Sequence, residues 1–455
     1  MTETEQKTEI IHKSQLIDYF ERGSKPPEKW GIGTENEKFL FRRGDFKRLK
    51  FDHESGITKI LEQMQMCGWR PITENHTTIG LQKNGASITL EPGGQFELSG
   101  KNMTSVQQTY HETRRHFQEL NEICEQHGFF SLPMGVDPLS KLEEVPWVPK
   151  ERYQWMKNYM PGKGDLGLEM MTKTASIQVN LDYSNETDMV KKMRVSQALQ
   201  PIVTAIFANS PFSDGKPNGY LSYRSHIWNH TDPDRCGFLP FIFDDDFGFE
   251  RWVDYLLDIP MYYIYRDGRH LSANGLTFRE FFHGKHALRP TLEDWETHVS
   301  TIFPDVRLKQ FMEMRGADAS CVSSIAALSA LWVGLLYDSQ ALEEAYELIS
   351  KWDVDTMQEL RAQVPVNALK AASGNLHAGD ISKQLFRIAS DGLHRRAEQR
   401  DIEDESRFLE PVRQITETGV TQAEKLLQRF KNGQESLPEL VYNWQEEHIP
   451  KCNSL

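Results

Sequence analysis

The chain has 455 residues, with 52 Lys+Arg against 66 Asp+Glu and a formal net charge of −14. That balance argues against a nucleic-acid partner, because affinity for phosphate backbones rests on a Lys/Arg excess. Hydrophobic residues at 38% and aromatics at 11% supply a packed core and exclude global disorder.

The amino terminus, Met1-Thr2-Glu3-Thr4-Glu5, has neither the basic and apolar regions of a secretory signal nor the Arg-rich character of a transit peptide. The expected location is the cytoplasm, and the sequons at Asn75, Asn102, Asn185 and Asn229 then carry no meaning. Along the chain, Gly31–Phe41 places Glu35 and Glu37 on one side of a strand, although Thr34, Asn36 and Lys38 make its other side polar too. Ser87–Ser99 alternates in two halves around Pro92-Gly93-Gly94, with Gln95, Glu97 and Ser99 on its polar side. Val106, Tyr110, Thr113, Phe117, Leu120 and Cys124 follow helical steps that stop near Gly128. In Ser176–Tyr183, the residues Ser176, Gln178, Asn180 and Asp182 share one face and Ile177, Val179, Leu181 and Tyr183 the other.

A second helix is expected over Val190–Ala208, and beyond Arg315 the pattern is almost wholly helical. The apolar run Cys321–Tyr337 contains Ser323, Ser324 and Ser329 and reads as a buried core helix. Thr421-x-x-Glu424 is a capping box and Gly433 a stop. No Gly/Ser linker or repeat divides the chain. The expectation is therefore one catalytic domain over 1–455, with a sheet-bearing core over about 15–340 and a helical subregion over about 341–455. The fold class is α+β, a curved and mainly antiparallel sheet backed by helices. One polar sheet face in so large a protein points to a cavity.

Several chemistries are excluded. There is no G-x-x-x-x-G-K-[ST] and no G-x-S-x-G elbow. Gly31-Ile32-Gly33-Thr34-Glu35-Asn36 lacks the third glycine of a dinucleotide fingerprint. His111 and His116 stand five apart, so they do not share a helical face as zincin ligands do. The five cysteines (Cys67, Cys124, Cys236, Cys321, Cys452) form no C-x-x-C.

The positive signal is a set of acids on separate strands: Glu35 with Glu37, and Glu91 with Glu97, joined by the neutral oxygens of Gln178 and Asn180. Two carboxylates ~4 Å apart repel by roughly 4 kcal/mol at an effective dielectric of ~20. Such a cluster calls for protonation, Arg/Lys partners or bridging cations. Oxygen ligands without thiolate or a His pair favour Mg²⁺ or Mn²⁺. Arg224 and Arg315 add guanidinium groups among apolar neighbours. Mg²⁺, Arg and an acidic wall are the equipment of phosphoryl transfer from ATP.

These residues closely resemble the glutamate–cysteine ligases of the plant and proteobacterial type. The resemblance is carried by Gly33-Thr34-Glu35-Asn36-Glu37-Lys38-Phe39, by Glu91-Pro92-Gly93-Gly94-Gln95-Phe96-Glu97-Leu98-Ser99-Gly100 and by Asn158-Tyr159-Met160-Pro161. It continues through Gln178–Asp182, Ala208–Phe212, Arg224–Trp228, Phe243–Glu250 and Glu313–Asp318, and reaches Gly419–Lys425. The resemblance implies a glutamine synthetase-like core and ATP-dependent joining of the L-glutamate γ-carboxylate to the L-cysteine amine through a γ-glutamyl phosphate. It implies Glu35, Glu37, Glu91, Glu97 and Glu313 as metal ligands, Arg224 and Arg315 as phosphate and carboxylate clamps, and small-molecule substrates acting on a monomer or homodimer. Gln178 stands where distant relatives carry a ligating histidine. Gln178, Asn180 and Arg224, with Tyr262, Tyr265 and Arg266, are the expected substrate contacts. Ala175 and Ala326 occupy positions of plant cysteines, so the disulfide switching known for plant enzymes is not expected. Two alternatives remain at this stage: a different glutamate–amine ligase on the same scaffold, and a non-catalytic carbohydrate-binding protein.

Overall fold

A computed structural model describes residues 8–51, 56–74, 76–266 and 269–448. Met1–Glu5, Asn75 and Cys452 lie outside the described residues. The strands that matter to the site are β1 (Ile32–Arg42), β2 (Arg70–Glu74), β3 (Thr77–Lys83), β4 (Ala86–Leu90), β5 (Phe96–Ser99), β6 (Phe129–Leu132) and β7 (Ser176–Leu181). Further along come the hairpin β8 (Tyr263–Arg266) and β9 (Arg269–Ser272), then β10 (Val306–Leu308) and β11 (Met312–Asp318). Nine of them form one sheet in the order β10-β11-β7-β1-β5-β4-β3-β2, with β6 on the far half of β1. Every pairing in it is antiparallel. The expected α+β architecture stands.

The two faces of β1 differ. Glu35 and Glu37 are only partly covered, while Thr34, Asn36 and Lys38 are buried. The polar rear side is explained by the helix α1 (Val106–Gln126): Lys38 Nζ donates to Asn36 Oδ1 at 2.7 Å and lies 2.9 Å from His116 Nε2 and 4.8 Å from the Phe117 ring. Burial pushes the Lys38 ammonium down to about 7, against the pull of Glu97 and Glu37. Ser105 caps α1 by accepting the Gln108 N–H, and Gly128 (φ 72°) ends it where a left-handed residue is needed.

Behind the sheet also lie α2 (Glu186–Ile206), α3 (Val322–Leu336) and α4 (Ala378–Arg400). The run expected as a core helix is α3, with Leu328, Leu331 and Trp332 buried. Each such side chain stabilises the fold by about 1.5–3 kcal/mol through burial. Among the described residues no single helix is long and apolar enough to cross a membrane. The Thr421–Glu424 capping box forms in both directions. One apolar cluster runs from Ile10 to Ala423 and takes in residues of both the sheet-bearing part and the C-terminal helices.

Candidate active site

Register brings the predicted acids onto one face. Glu37 pairs with Glu97 across β1 and β5, and Glu97 with Thr89 on β4. Glu35 pairs with Gln178 on β7, and Asn180 with Glu313 on β11. Direct cross-strand partners point to the same side of a sheet, so Glu35, Glu37, Glu97, Gln178, Asn180 and Glu313 share it. Glu91 arrives through the turn between β4 and β5. There the Gly94 N–H donates to Glu91 O at 2.8 Å with φ at 77°, and a Cβ on Gly93 would stand 2.3 Å from Thr172 O. Both glycines are thus required, one for its backbone conformation and one for close approach.

Among the described residues the acidic half has no cation in contact. Glu37 Oε2 accepts the Ser176 N–H at 2.5 Å, Glu97 Oε2 accepts the Thr89 hydroxyl at 2.5 Å, and Glu35 Oε1 accepts the Asn180 amide at 2.8 Å. Burial, then Glu91, push the Glu37 carboxyl up to about 7, against the pull of Arg224. Burial, then Glu35, Glu91 and Glu37, push Glu97 well above the usual carboxylate range. Among the described residues no three His, Cys, Asp or Glu side chains close on one metal position. The chemistry of Glu35, Glu37, Glu91 and Glu97 nonetheless fits a divalent cation: these are hard oxygen donors, and an added charge relieves the repulsion that raises two of them.

The other half is cationic. Glu313 is fully buried, and its carboxylate meets Arg307 Nε at 2.5 Å, Lys309 Nζ at 2.7 Å and Arg315 Nη1 at 3.4 Å. Burial alone would raise its carboxyl. Arg307, Lys309 and Arg315 together outweigh burial and hold it well below the usual range. Glu313 therefore stands as the anchor of three cations, a setting unlike that of the other four acids. Sequence reading missed Arg307 and Lys309. Arg307 lies in β10 and Lys309 just beyond it, and a three-residue strand is too short for its periodicity to register.

Arg315 Nη1 also donates to Gln178 Oε1 at 2.6 Å, and the backbone register shifts between Met314 and Ala317. Arg224 sits in the first turn of α5 (Tyr223–Asn229), whose cap Ser222 accepts the Ser225 N–H. Its Nη2 donates to Arg315 O at 2.9 Å, while its Nε has no partner among the described residues. Asp318 fixes this corner, accepting from Ser210 Oγ (2.6 Å), Ser222 Oγ (2.9 Å) and the Asn209 N–H (2.8 Å). Arg224 and Arg315 line one cavity with Trp228, Asp305 and Arg361.

The remaining expected contacts have other engagements. Tyr262 is buried with its ring 3.9 Å from the Arg235 guanidinium. Tyr265 packs at 5.1 Å from His270. Arg266 forks onto Asp294 and donates to Arg289 O at 2.8 Å.

An antiparallel sheet face with carboxylates on one half and Arg and Lys gathered around Glu313 on the other suits an ATP-dependent carboxylate–amine ligase. Residues 31–453 match the Glutamate-cysteine ligase family 2 (GCS2), and the chain belongs to that family. Its reaction is the ATP-dependent formation of γ-glutamylcysteine in glutathione synthesis. The chain is 46% identical over 432 residues to the chloroplastic glutamate–cysteine ligase of Brassica juncea, covering 94% of this chain and 82% of that one. It is 45% identical to chloroplastic glutamate–cysteine ligase B of Oryza sativa subsp. japonica, covering 94% and 86%. Among solved structures, the glutamate–cysteine ligase of Francisella tularensis in complex with AMP superposes with a TM-score of 0.56 at 12% identity. That likeness covers 92% of this chain and 88% of the other, and it supports the fold. The cytoplasmic location expected from the amino terminus is overturned: the relatives at 45–46% identity are chloroplastic enzymes.

Proposed function

We propose that Glu35, Glu37, Glu91 and Glu97 hold Mg²⁺, for which Mn²⁺ can substitute, and that Arg224 and Arg315 receive the phosphoryl and carboxylate oxygens of ATP and L-glutamate. The observation that carries this reading is the division of one sheet face into an acidic half without cations and a cationic half built on Glu313. Bound Mg²⁺ would neutralise phosphate oxygens and lower the barrier to their transfer. The protein supplies the rest.

A carboxylate does not react with an amine at neutral pH, because the leaving group would be oxide. Transfer of the ATP γ-phosphoryl group to the glutamate γ-carboxylate makes an acyl phosphate and releases ADP. The cysteine amine then attacks the acyl carbon and phosphate leaves. Arg224, with an unpartnered Nε, and Arg315, held by Gln178 and Glu313, are positioned to stabilise the charge on the transferring oxygens. Gln178 and Asn180 lie between the halves and are proposed to contact the amino-acid substrate. Tyr262, Tyr265 and Arg266, engaged by Arg235, His270 and Asp294, are proposed to shape the amino-acid pocket indirectly. The chain works as one catalytic unit in this reading, since Arg361 of the C-terminal helices lines the same cavity as Arg224 and Arg315.

Phosphate release with ATP and glutamate tests the assignment, with cysteine present, omitted, or replaced by other amines. Release that requires cysteine or its close analogue 2-aminobutyrate supports it. Equal release with unrelated amines favours a broader glutamate–amine ligase, and none with any amino-acid pair removes the assignment.

A further inference from the structure

Asp305 is an acid in the wrong half of the site. It precedes β10 and shares a cavity with Arg224 and Arg315. Its backbone is pinned on both sides: its N–H donates to Gly237 O at 2.9 Å, and its carbonyl accepts the Arg315 N–H at 3.1 Å. A largely buried carboxylate in the same cavity as two guanidinium groups is a ready internal competitor for the anion they are to bind, and Arg224 already feels its charge. In this structure it is taken up elsewhere. Arg361 grips it with two hydrogen bonds, Nε to Oδ2 at 2.6 Å and Nη2 to Oδ1 at 3.0 Å.

Arg361 comes from the helix Val354–Asn367, far along the chain. Near its end the Pro365 carbonyl accepts the N–H groups of Leu221 (2.8 Å) and Ser222 (3.0 Å), Ser222 being the cap of the helix that carries Arg224. One C-terminal helix therefore holds both the mount of Arg224 and the carboxylate beside it.

We propose that Arg361 is a positioning residue of the ligase reaction, which sequesters Asp305 and so keeps Arg224 and Arg315 open to the anionic groups of the substrates. The inference rests on the reading of Arg224 and Arg315 as the anion clamp. With Arg361 gone, Asp305 rotates toward the clamp and occupies it. The paired fork has a specific consequence: the loss is undone by removing the charge of Asp305, and a general structural defect is not.

The test compares wild type, Arg361→Gln, Asp305→Asn and the double variant in a double-mutant cycle. It reads kcat, KM for glutamate and for ATP, and the thermal midpoint of each preparation. Arg361→Gln is expected to lose at least tenfold in kcat/KM. The double variant is expected to return to within about threefold of Asp305→Asn. A double variant as poor as Arg361→Gln overturns the proposal, as does an unaffected Arg361→Gln. Arg224→Lys and Arg315→Lys, assayed alongside, isolate the underlying reading. If both retain full kcat/KM, the clamp assignment fails. If both lose it while Arg361→Gln does not, only the role of Arg361 fails.

Discussion

Glu37 and Glu97 face each other across adjacent strands, each accepting one neutral donor and neither touching a cation among the described residues. Two carboxyls crowded in that arrangement are favoured as carboxylates at neutral pH by an added positive charge. Mg²⁺ is therefore expected to raise the thermal midpoint of the wild-type protein, since a ligand that binds only the folded state stabilises it. Glu37→Gln and Glu97→Gln should fold at least as well without metal but lose the Mg²⁺-induced rise, along with at least a hundredfold in turnover. Chelation should abolish turnover in the wild type. Undiminished activity in excess chelator would sink the metal assignment.

The core makes a separate prediction about acid. His298 is buried and its Nε2 contacts Leu256 O at 2.8 Å, and burial pushes the imidazole down to about 3. The unfolded chain protonates this residue near pH ~6.5. Its contribution to stability is thus fully present above that pH and is lost as pH falls from ~6.5 toward 3, at a slope of up to about 1.4 kcal/mol per pH unit. His116 is shifted in the same direction by burial and by Lys38. His298→Gln retains a donor for Leu256 O and should show a shallower loss of stability between pH 6 and 4 in urea titrations. Parallel curves for variant and wild type would show that His298 titrates freely.

A third expectation concerns thiols. Ala175 and Ala326 are buried where a cysteine pair would be needed, and Cys124, Cys236 and Cys321 are buried as free thiols, with Cys67 alone exposed among the described cysteines. Burial pushes the Cys236 thiol up to about 12, so it is not a reactive thiolate. With 2-aminobutyrate as acceptor, activity should change less than twofold between reductant and mild oxidant. A reversible several-fold loss would reveal a disulfide that this arrangement does not provide for.

The sequence made one side of the site legible and hid the other. Alternation was enough to set Glu35 with Glu37, and Gln178 with Asn180, on one face of their own strands, because residue parity fixes the face of a strand, and the register then joins those faces with Glu97. Parity could not say what lies behind β1. There Asn36 and Lys38 look like solvent-facing residues, yet they are buried against His116 and Phe117 of α1. The cationic cage of Glu313 was hidden because Arg307 lies within, and Lys309 just after, a strand of only three residues. Arg361 was hidden for another reason. A single Arg on an amphipathic helix looks like any solvated charge until the chain brings Asp305, 56 positions away, within 3.0 Å of it.

Arg315 is the residue on which site and fold separate most sharply. It follows Glu313 by two positions, and a regular strand would set both side chains on one face. The register shift between Met314 and Ala317 leaves that contact at 3.4 Å and gives Arg315 its shorter bond, 2.6 Å, to Gln178. Nη1 alone thus bridges the acidic wall's neutral edge and the cationic half, and it is a bidentate grip on substrate oxygens that would draw on the planar fork. Arg315→Lys preserves charge and most of the side-chain volume but cannot reproduce a planar, bidentate grip on carboxylate or phosphoryl oxygens. The variant should fold, and turnover per folded molecule should fall at least roughly tenfold, or ~1.4 kcal/mol. If Arg315 served the fold alone, the thermal midpoint would drop while turnover per folded molecule stayed constant. Measuring both quantities on one preparation decides the matter, and the second pattern would move Arg315 out of the chemistry.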